Sequence, residues 1–233
     1  MVGEGTRKER ERDTTIRDQT NPNKNIDNIT YEDHFLMFRR AGNHAPYLQK
    51  VIDYTDGQTL EFGCGTGTQA LAVEPYVENA VGVDLSADRV ELTHERARRM
   101  DADTSFIRGD MFELPFDDNT FSTSFNSGVY QHFDNDGRKE IIHEVARVSR
   151  DYLILSVANH WYPAQSETRR MKSHAWWCNL FDGYDNYNLV EHGTYGNRLN
   201  SVYEGISNVE LIWFVKWVSS NLPYPRSWFV LEI

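Results

Sequence analysis

A chain of 233 residues, 39% hydrophobic, is long enough to build one large α/β domain and cramped for two. Its formal net charge of −11 provides no global basic field for a phosphate backbone, which counts against a nucleic-acid partner. The two cysteines, Cys64 and Cys178, make no disulfide framework, no apolar run approaches a bilayer span, and the N-terminus has no signal-peptide core, so the expectation is a soluble cytoplasmic protein with no membrane partner.

Residues 1–28 are almost all polar and read as a mobile arm, because they cannot bury enough apolar surface to offset their ordering. The remainder, 29–233, reads as a single domain. Thr30 caps a helix on which Tyr31, Phe35 and Phe38 recur at helical spacing until Gly42-Asn43. A short helix over 46–54 carries Leu48, Val51 and Ile52 on one face, and Asp56-Gly57 closes it. A strand over 59–62 then breaks into Gly63-Cys64-Gly65-Thr66-Gly67, followed by an amphipathic helix over 69–77. Strand 80–84 ends on Asp84. Ser86 caps the next helix, with Val90, Leu92, Ala97 and Met100 as its core positions. Strands over 105–108 and 121–126, a helix over 139–148 with Ile141, Ile142, Val145 and Val148 on one side, and a strand over 152–157 complete the alternation. Residues 159–208 are irregular and aromatic. Two strand-like runs, 209–218 and 227–233, close the chain as a hairpin. The pattern predicts a Rossmann-like, doubly wound, mostly parallel seven-stranded α/β sheet with an antiparallel C-terminal hairpin and an aromatic-rich cap insertion over about 159–208.

Strand, glycine turn and helix form the layout of a nucleotide-binding loop, since glycines let the backbone turn sharply and lie close to a ligand. The dinucleotide fingerprint wants its third glycine one place after Gly67, where this chain has Thr68. Glu61, two residues before Gly63, suits a ligand amine better than a pyrophosphate. Asp84 ends the second strand, and a carboxylate there can accept both hydroxyls of a ribose. Asp110 ends the third and can accept from an exocyclic amine. Asn126 ends the fourth, beside the first if the strand order reverses between them. All lie at the edge where open α/β sheets bind ligands.

Glu61-Phe-Gly-Cys-Gly-Thr-Gly67, Val81-Gly-Val-Asp84, Gly109-Asp110-Met111, Phe116-Asp-Asp-Asn-Thr-Phe121, Tyr130-Gln131-His132-Phe133 and Glu144-Val-Ala-Arg-Val148 resemble, in order and spacing, the motifs of class I S-adenosylmethionine-dependent methyltransferases. The branch they look most like is the type 11 small-molecule methyltransferases, over roughly 55–157. The resemblance implies S-adenosylmethionine as cofactor and a small-molecule methyl acceptor. It implies that Glu61 and the backbone of Gly63, Cys64, Gly65 and Gly67 hold the methionine part, and that Asp84 takes the ribose hydroxyls. Leu85 would pack on the adenine, Asp110 would bind its amine with Met111 beside the ring, and Asn126 and Ser127 would meet the methionine end and face the acceptor. The aromatic insertion would form a substrate cover. The chain departs from the family pattern twice: Val148-Ser149-Arg150-Asp151 stands where Pro-Gly-Gly is usual, and the fourth strand, Phe121-Ser-Thr-Ser-Phe125, is polar for a central strand, so its hydroxyls need partners.

Methyl transfer from a sulfonium needs mainly positioning, and a base only if the nucleophile must lose a proton. His132 is the first candidate base, and equally a histidine that shapes the pocket; Tyr130 and His160 are further candidates. No two of His160, His174 and His192 fall at helix-turn ligand spacing, so no metal is expected. Competing readings are a methyltransferase for protein or nucleic acid, a nicotinamide oxidoreductase, against which Glu61 and Thr68 speak, and a silent cofactor-binding protein.

Overall fold

The computed structural model describes residues 45–159, 172–195 and 226–233. The polar arm, the helix after Thr30 and the run 209–218 lie outside the described residues. Helix α1 (Ala45–Asp53) leads to β1 (Gln58–Phe62), and α2 (Thr68–Val73) passes through a 3-10 turn (Glu74–Tyr76) into β2 (Asn79–Asp84). Then come α3 (Ala87–Met100), β3 (Ser105–Arg108), β4 (Phe121–Ser127) and a second 3-10 turn (Tyr130–His132). Helix α4 (Asn135–Val148) runs directly into β5 (Ser149–Ala158), followed by α5 (His174–Asp182), β6 (Asn188–Tyr195) and β7 (Arg226–Glu232).

The strands form one sheet in the order β3-β2-β1-β4-β5-β7-β6. Strands β1 to β5 are parallel, and β7 runs antiparallel to both β5 and β6. Strand order reverses between β1 and β4, the point at which an open α/β sheet leaves a crevice at its carboxyl edge. No helix among the described residues is long and apolar enough to cross a membrane.

The expected hairpin is corrected in one respect. Among the described residues the partner of β7 is β6, which lies within the stretch expected to be irregular. Along β6 the outward residues are exposed and the inward ones only half-buried up to Tyr195, so its alternation is muted and includes Glu191 and Gly193 on the inner side. Gly193 has a packing reason: a Cβ there would lie 2.6 Å from the Trp228 ring. Glu191 is tied to α1 by Lys50 Nζ at 2.8 Å and by the Tyr54 hydroxyl at 2.9 Å.

In α3, Ser86 caps as expected, accepting from the Arg89 N–H, but the buried stripe is Val90, Thr93 and Ala97. Leu92 and Met100 are only half-buried, because the i, i+3, i+7 face of Val90 is the one turned to Phe106. In α4 the expected Ile141, Ile142, Val145 and Val148 are all core.

Both departures from the family pattern have one explanation. Ser124 of β4 shares a 2.6 Å hydrogen bond with Ser149, and Ser149 Oγ also lies 2.7 Å from the Val145 carbonyl of α4. Ser149 stands in the segment where Pro-Gly-Gly is usual, and it supplies the partner that the buried Ser124 hydroxyl requires. Ser122 donates to the Gln58 carbonyl at 3.0 Å, and Thr123 to the Tyr54 carbonyl at 2.6 Å, so the polar strand is satisfied throughout.

The Phe116-to-Phe121 and Glu144-to-Val148 motifs are likewise one device. Glu144 accepts from the Leu114 N–H at 2.7 Å, while Arg147 donates to the Leu114 and Phe116 carbonyls and pairs with Asp118. Asn119, in the left-handed region at φ 57°, donates its N–H to the Arg147 carbonyl. Helix α4 thereby fixes the loop that precedes β4.

Ser149→Ala should destabilise the fold by about 1–3 kcal/mol, because it strands a buried hydroxyl. The double variant Ser124→Ala/Ser149→Ala should recover part of that loss. Urea unfolding of the four proteins measures the coupling, and strictly additive losses would show that the pair does not interact.

Candidate active site

Backbone geometry at the β1–α2 turn explains the glycines individually. Gly63, Gly65 and Gly67 have φ of 65°, 57° and 67°, a region that other residues enter at a cost. A Cβ at Gly67 would lie 2.7 Å from the Phe106 ring and 2.8 Å from Thr93, so this glycine lets the loop settle onto α3 and β3. A Cβ at Gly63 would meet Met111 and Val129 at 3.1 Å. At Gly65 the nearest group is Arg89 Nη1 at 3.9 Å, so the backbone there borders open space. This is the cradle that a ligand could occupy.

Two buried acids hold the loop at its ends. Glu61, 4% exposed, accepts the Ala70 N–H at 2.8 Å. Burial raises its carboxyl to about 8; the Ala70 N–H opposes this and the charge of Asp84 adds to it. Asp84, 6% exposed, accepts the Gly65 N–H at 2.8 Å on one oxygen and the Ser86 N–H at 3.0 Å on the other. Each oxygen of a carboxylate has two acceptor sites, so each retains one for a further donor. Arg89 approaches Asp84 to 3.7 Å, a cation at the loop mouth that sequence spacing did not single out.

Of the other expected cofactor residues, Leu85 is half exposed at the loop rim. Asp110 accepts the Phe112 N–H at 3.1 Å, and half-buried Met111 reaches Gly63. The Cys64 side chain is core, packed with Ala70, Val90 and Phe106, so only its backbone belongs to the loop. Its thiol is raised by burial first and by Glu61 and Asp84 next, which leaves it protonated.

Asn126 is fully buried and its side chain is hydrogen-bonded within the protein. It donates to the Phe62 carbonyl and accepts the Val129 and Tyr130 N–H groups at 3.2 and 3.3 Å. It thereby locks the end of β1 to the turn after β4. Ser127, half-buried one residue on, donates to Ser156 at 3.3 Å.

Tyr130, a candidate catalytic group, is turned into the core. Its hydroxyl is 3.1 Å from that of Tyr184, and its ring packs beside Trp177 and Phe181. Burial raises its phenol well above the ordinary value, and the neighbouring Tyr184 adds to the shift. His132 sits half-buried at the end of the same turn, its N–H on the Val129 carbonyl at 3.0 Å. His160 lies outside the described residues, as do Trp161 and Tyr162. Trp177 is fully buried, so this ring of the expected substrate cover is core, as is its neighbour Phe181.

Besides Arg89, three residues at this edge escaped sequence reading. Tyr47 of α1 donates to the Asn126 carbonyl at 2.8 Å. Arg138, 1% exposed, donates to the Tyr130 and Gln131 carbonyls and lies over the Trp177 ring at 4.8 Å. Arg226 begins β7 opposite Ala158, and its guanidinium lies 4.0 Å from where a Gly128 Cβ would stand. The partners of Arg138 are backbone carbonyls and a ring of another element, which no local sequence pattern announces.

The sequence matches the methyltransferase domain family over residues 59–151. Residues 59–151 thus carry the sequence pattern of a methyltransferase domain. Relatives include an uncharacterized methyltransferase, YcgJ, of Bacillus subtilis, 33% identical over 133 residues, which are 57% of this chain and 48% of that protein. The chain thus spans about half the length of the curated relatives it matches. In fold it is similar to the PH0226 protein of Pyrococcus horikoshii (TM-score 0.61, 20% identity, 89% of this chain and 93% of that one). It is also similar to a SAM-dependent methyltransferase from Aquifex aeolicus (TM-score 0.60, 12% identity, 80% and 87%).

The loop glycines predict separable effects. Gly67→Ala should lower stability by about 1–3 kcal/mol through overpacking, whereas Gly65→Ala should act mainly on ligand binding. Equal loss of stability in both would refute the distinction. Glu61 predicts a pH effect: between about 4.5 and about 8 the folded state holds a proton that the unfolded state has released, so stability falls as pH rises through that window. Relative to Glu61→Gln, the wild type should lose on the order of 1 kcal/mol per pH unit there. Parallel stability profiles in urea from pH 5 to 8 would contradict it.

Proposed function

We propose that the protein transfers a methyl group from S-adenosylmethionine to an oxygen or nitrogen of a small-molecule acceptor by in-line displacement. The observation that carries this reading is Asp84: a buried carboxylate at the end of β2 that steadies Gly65 yet retains an acceptor site on each oxygen, beside open space. Those sites suit the two hydroxyls of a ribose. When bound, S-adenosylmethionine supplies a methyl carbon activated by a sulfonium.

The chain's own residues would divide the remaining work. The backbone of Gly63 to Gly67 and the Glu61 carboxyl would hold the methionine end, where a ligand ammonium would convert Glu61 to its anion. Leu85 would cover the adenine, with Asp110 on its amine and Met111 beside the ring. Ser127 and His132 would face the acceptor, His132 removing a proton if the acceptor carries one, with His160 the alternative base. Asn126 would act by holding the turn that carries both Ser127 and His132. A small acceptor fits the net charge of −11, which repels polyanions. Free thiols at Cys64 and Cys178 fit a reducing cytoplasm.

Calorimetry with S-adenosylhomocysteine, the demethylated product, tests the cofactor reading, which absence of binding would overturn. Asp84→Ala should weaken binding about 10–100-fold, the worth of charge-assisted hydrogen bonds; unchanged affinity would remove Asp84 from the site. Near pH 7 the wild type should release up to about one proton on binding, measured in buffers of different ionisation enthalpy, and Glu61→Gln should release none. Turnover of a panel of small alcohols, phenols and amines then tests the acceptor class. Activity confined to proteins or nucleic acids would replace it.

A further inference from the structure

Away from the glycine loop, α5 and β6 bring three ligand-type side chains together. His174 and Cys178 lie one helical turn apart on α5, and His192 projects from β6. His174 Nε2 lies 3.0 Å from His192 Nδ1 and 3.6 Å from Cys178 Sγ, and all three atoms fall within 4.8 Å of one another. Spacing among the histidines alone hid this cluster, because the helical neighbour of His174 is a cysteine.

We propose that His174, Cys178 and His192 form a zinc-binding site that clips α5 to the edge strand β6. A tetrahedral Zn²⁺ with Zn–N near 2.0–2.1 Å and Zn–S near 2.3 Å spaces its ligand atoms by about 3.3 Å between nitrogens and about 3.6 Å between nitrogen and sulfur. The two closest separations here match that frame. The remaining one closes by rotation of His192, whose side chain is exposed. One thiolate with two imidazoles is a donor set that suits zinc and disfavours Mg²⁺ or Ca²⁺. The fourth position is left to water. On binding, a Zn–S bond forms and the thiol proton passes to solvent.

The cluster is held in place before any metal arrives. Ser173 caps α5 by accepting the Trp176 N–H at 3.1 Å, which sets the helix start next to His174. The His174 ring stacks on Phe229 with centroids 5.2 Å apart and planes at 19°. Phe229 belongs to β7, the strand between β5 and β6, so the site is referenced to the sheet. Trp177 and Phe181 of the same helix pack against Tyr130, and through it against the turn that carries His132. A metal at the start of α5 would therefore stiffen the wall behind the candidate acceptor edge.

The test uses the full chain, stripped with chelator and titrated with Co²⁺ alone, then with Zn²⁺. One equivalent of Co²⁺ should give thiolate-to-cobalt charge transfer in the near ultraviolet with the intense visible bands of a tetrahedral site, and Zn²⁺ should erase both. Cys178→Ser should abolish the charge-transfer band. His192→Ala, a change at an exposed position that leaves folding intact, should weaken Zn²⁺ binding at least about 100-fold, the upper end of what loss of a mere supporting group causes. Absence of a thiolate band in the wild type overturns the proposal, as does Zn²⁺ affinity unchanged by His192→Ala. If Cys178→Ser fails to fold, the His192→Ala titration decides alone.

Discussion

Two buried carboxylates hold the glycine loop, and the rest of the candidate site depends on them. Glu61 takes the Ala70 N–H and Asp84 takes those of Gly65 and Ser86, so the turn between β1 and α2 is pinned both to the helix behind it and to the neighbouring strand. A turn with three glycines in the left-handed region would otherwise be costly to order, since glycine loses more freedom than any other residue. Burying an acid is itself unfavourable unless backbone donors meet it. Here both costs are offset by the same hydrogen bonds, and the groups that shape the cradle are the ones suited to a polar ligand.

The switch between β1 and β4 is secured differently. Asn126 bonds the end of β1 and the turn after β4 at once, and Tyr47 reaches over to its carbonyl. Arg138 then holds the Tyr130 and Gln131 carbonyls from α4. Its guanidinium meets carbonyl oxygens and lies over the ring faces of Trp176 and Trp177. The segment bearing Ser127 and His132 is consequently fixed from three sides, although none of the fixing groups need touch a ligand.

The polar β4 shows how a local oddity becomes consistent in three dimensions. Serines and a threonine in a central strand contradict the usual apolar run, and a lost Pro-Gly-Gly contradicts the usual turn. Brought together, Ser124 and Ser149 satisfy each other, and the helix-to-strand passage without a loop sets Ser149 where Ser124 can reach it. Each departure is costly alone, and together they form one hydrogen-bonded connection between α4, β4 and β5.

Much of the fold was legible because β1 and β2 are short strands that break into glycine or acid, and α4 has a clean apolar stripe. Periodicity and turn chemistry are local, so Ser86, the glycine loop, Asp84 and the Ile141 face could be read along the chain. Strand β6 could not, since an edge strand with Glu191 and Gly193 on its inner side lacks alternation and gains its identity from pairing with β7. Nor could Tyr130 and Asn126 be distinguished from ligand-facing groups, because direction into core or cleft depends on what packs beyond them. The chain's own order of residues thus determined the loop, the strand-end acids and the order of elements, all matters of backbone propensity and spacing. Tertiary packing alone decided which hydroxyls and amides were already satisfied, and that His174, Cys178 and His192 would meet, because those contacts join residues far apart in sequence.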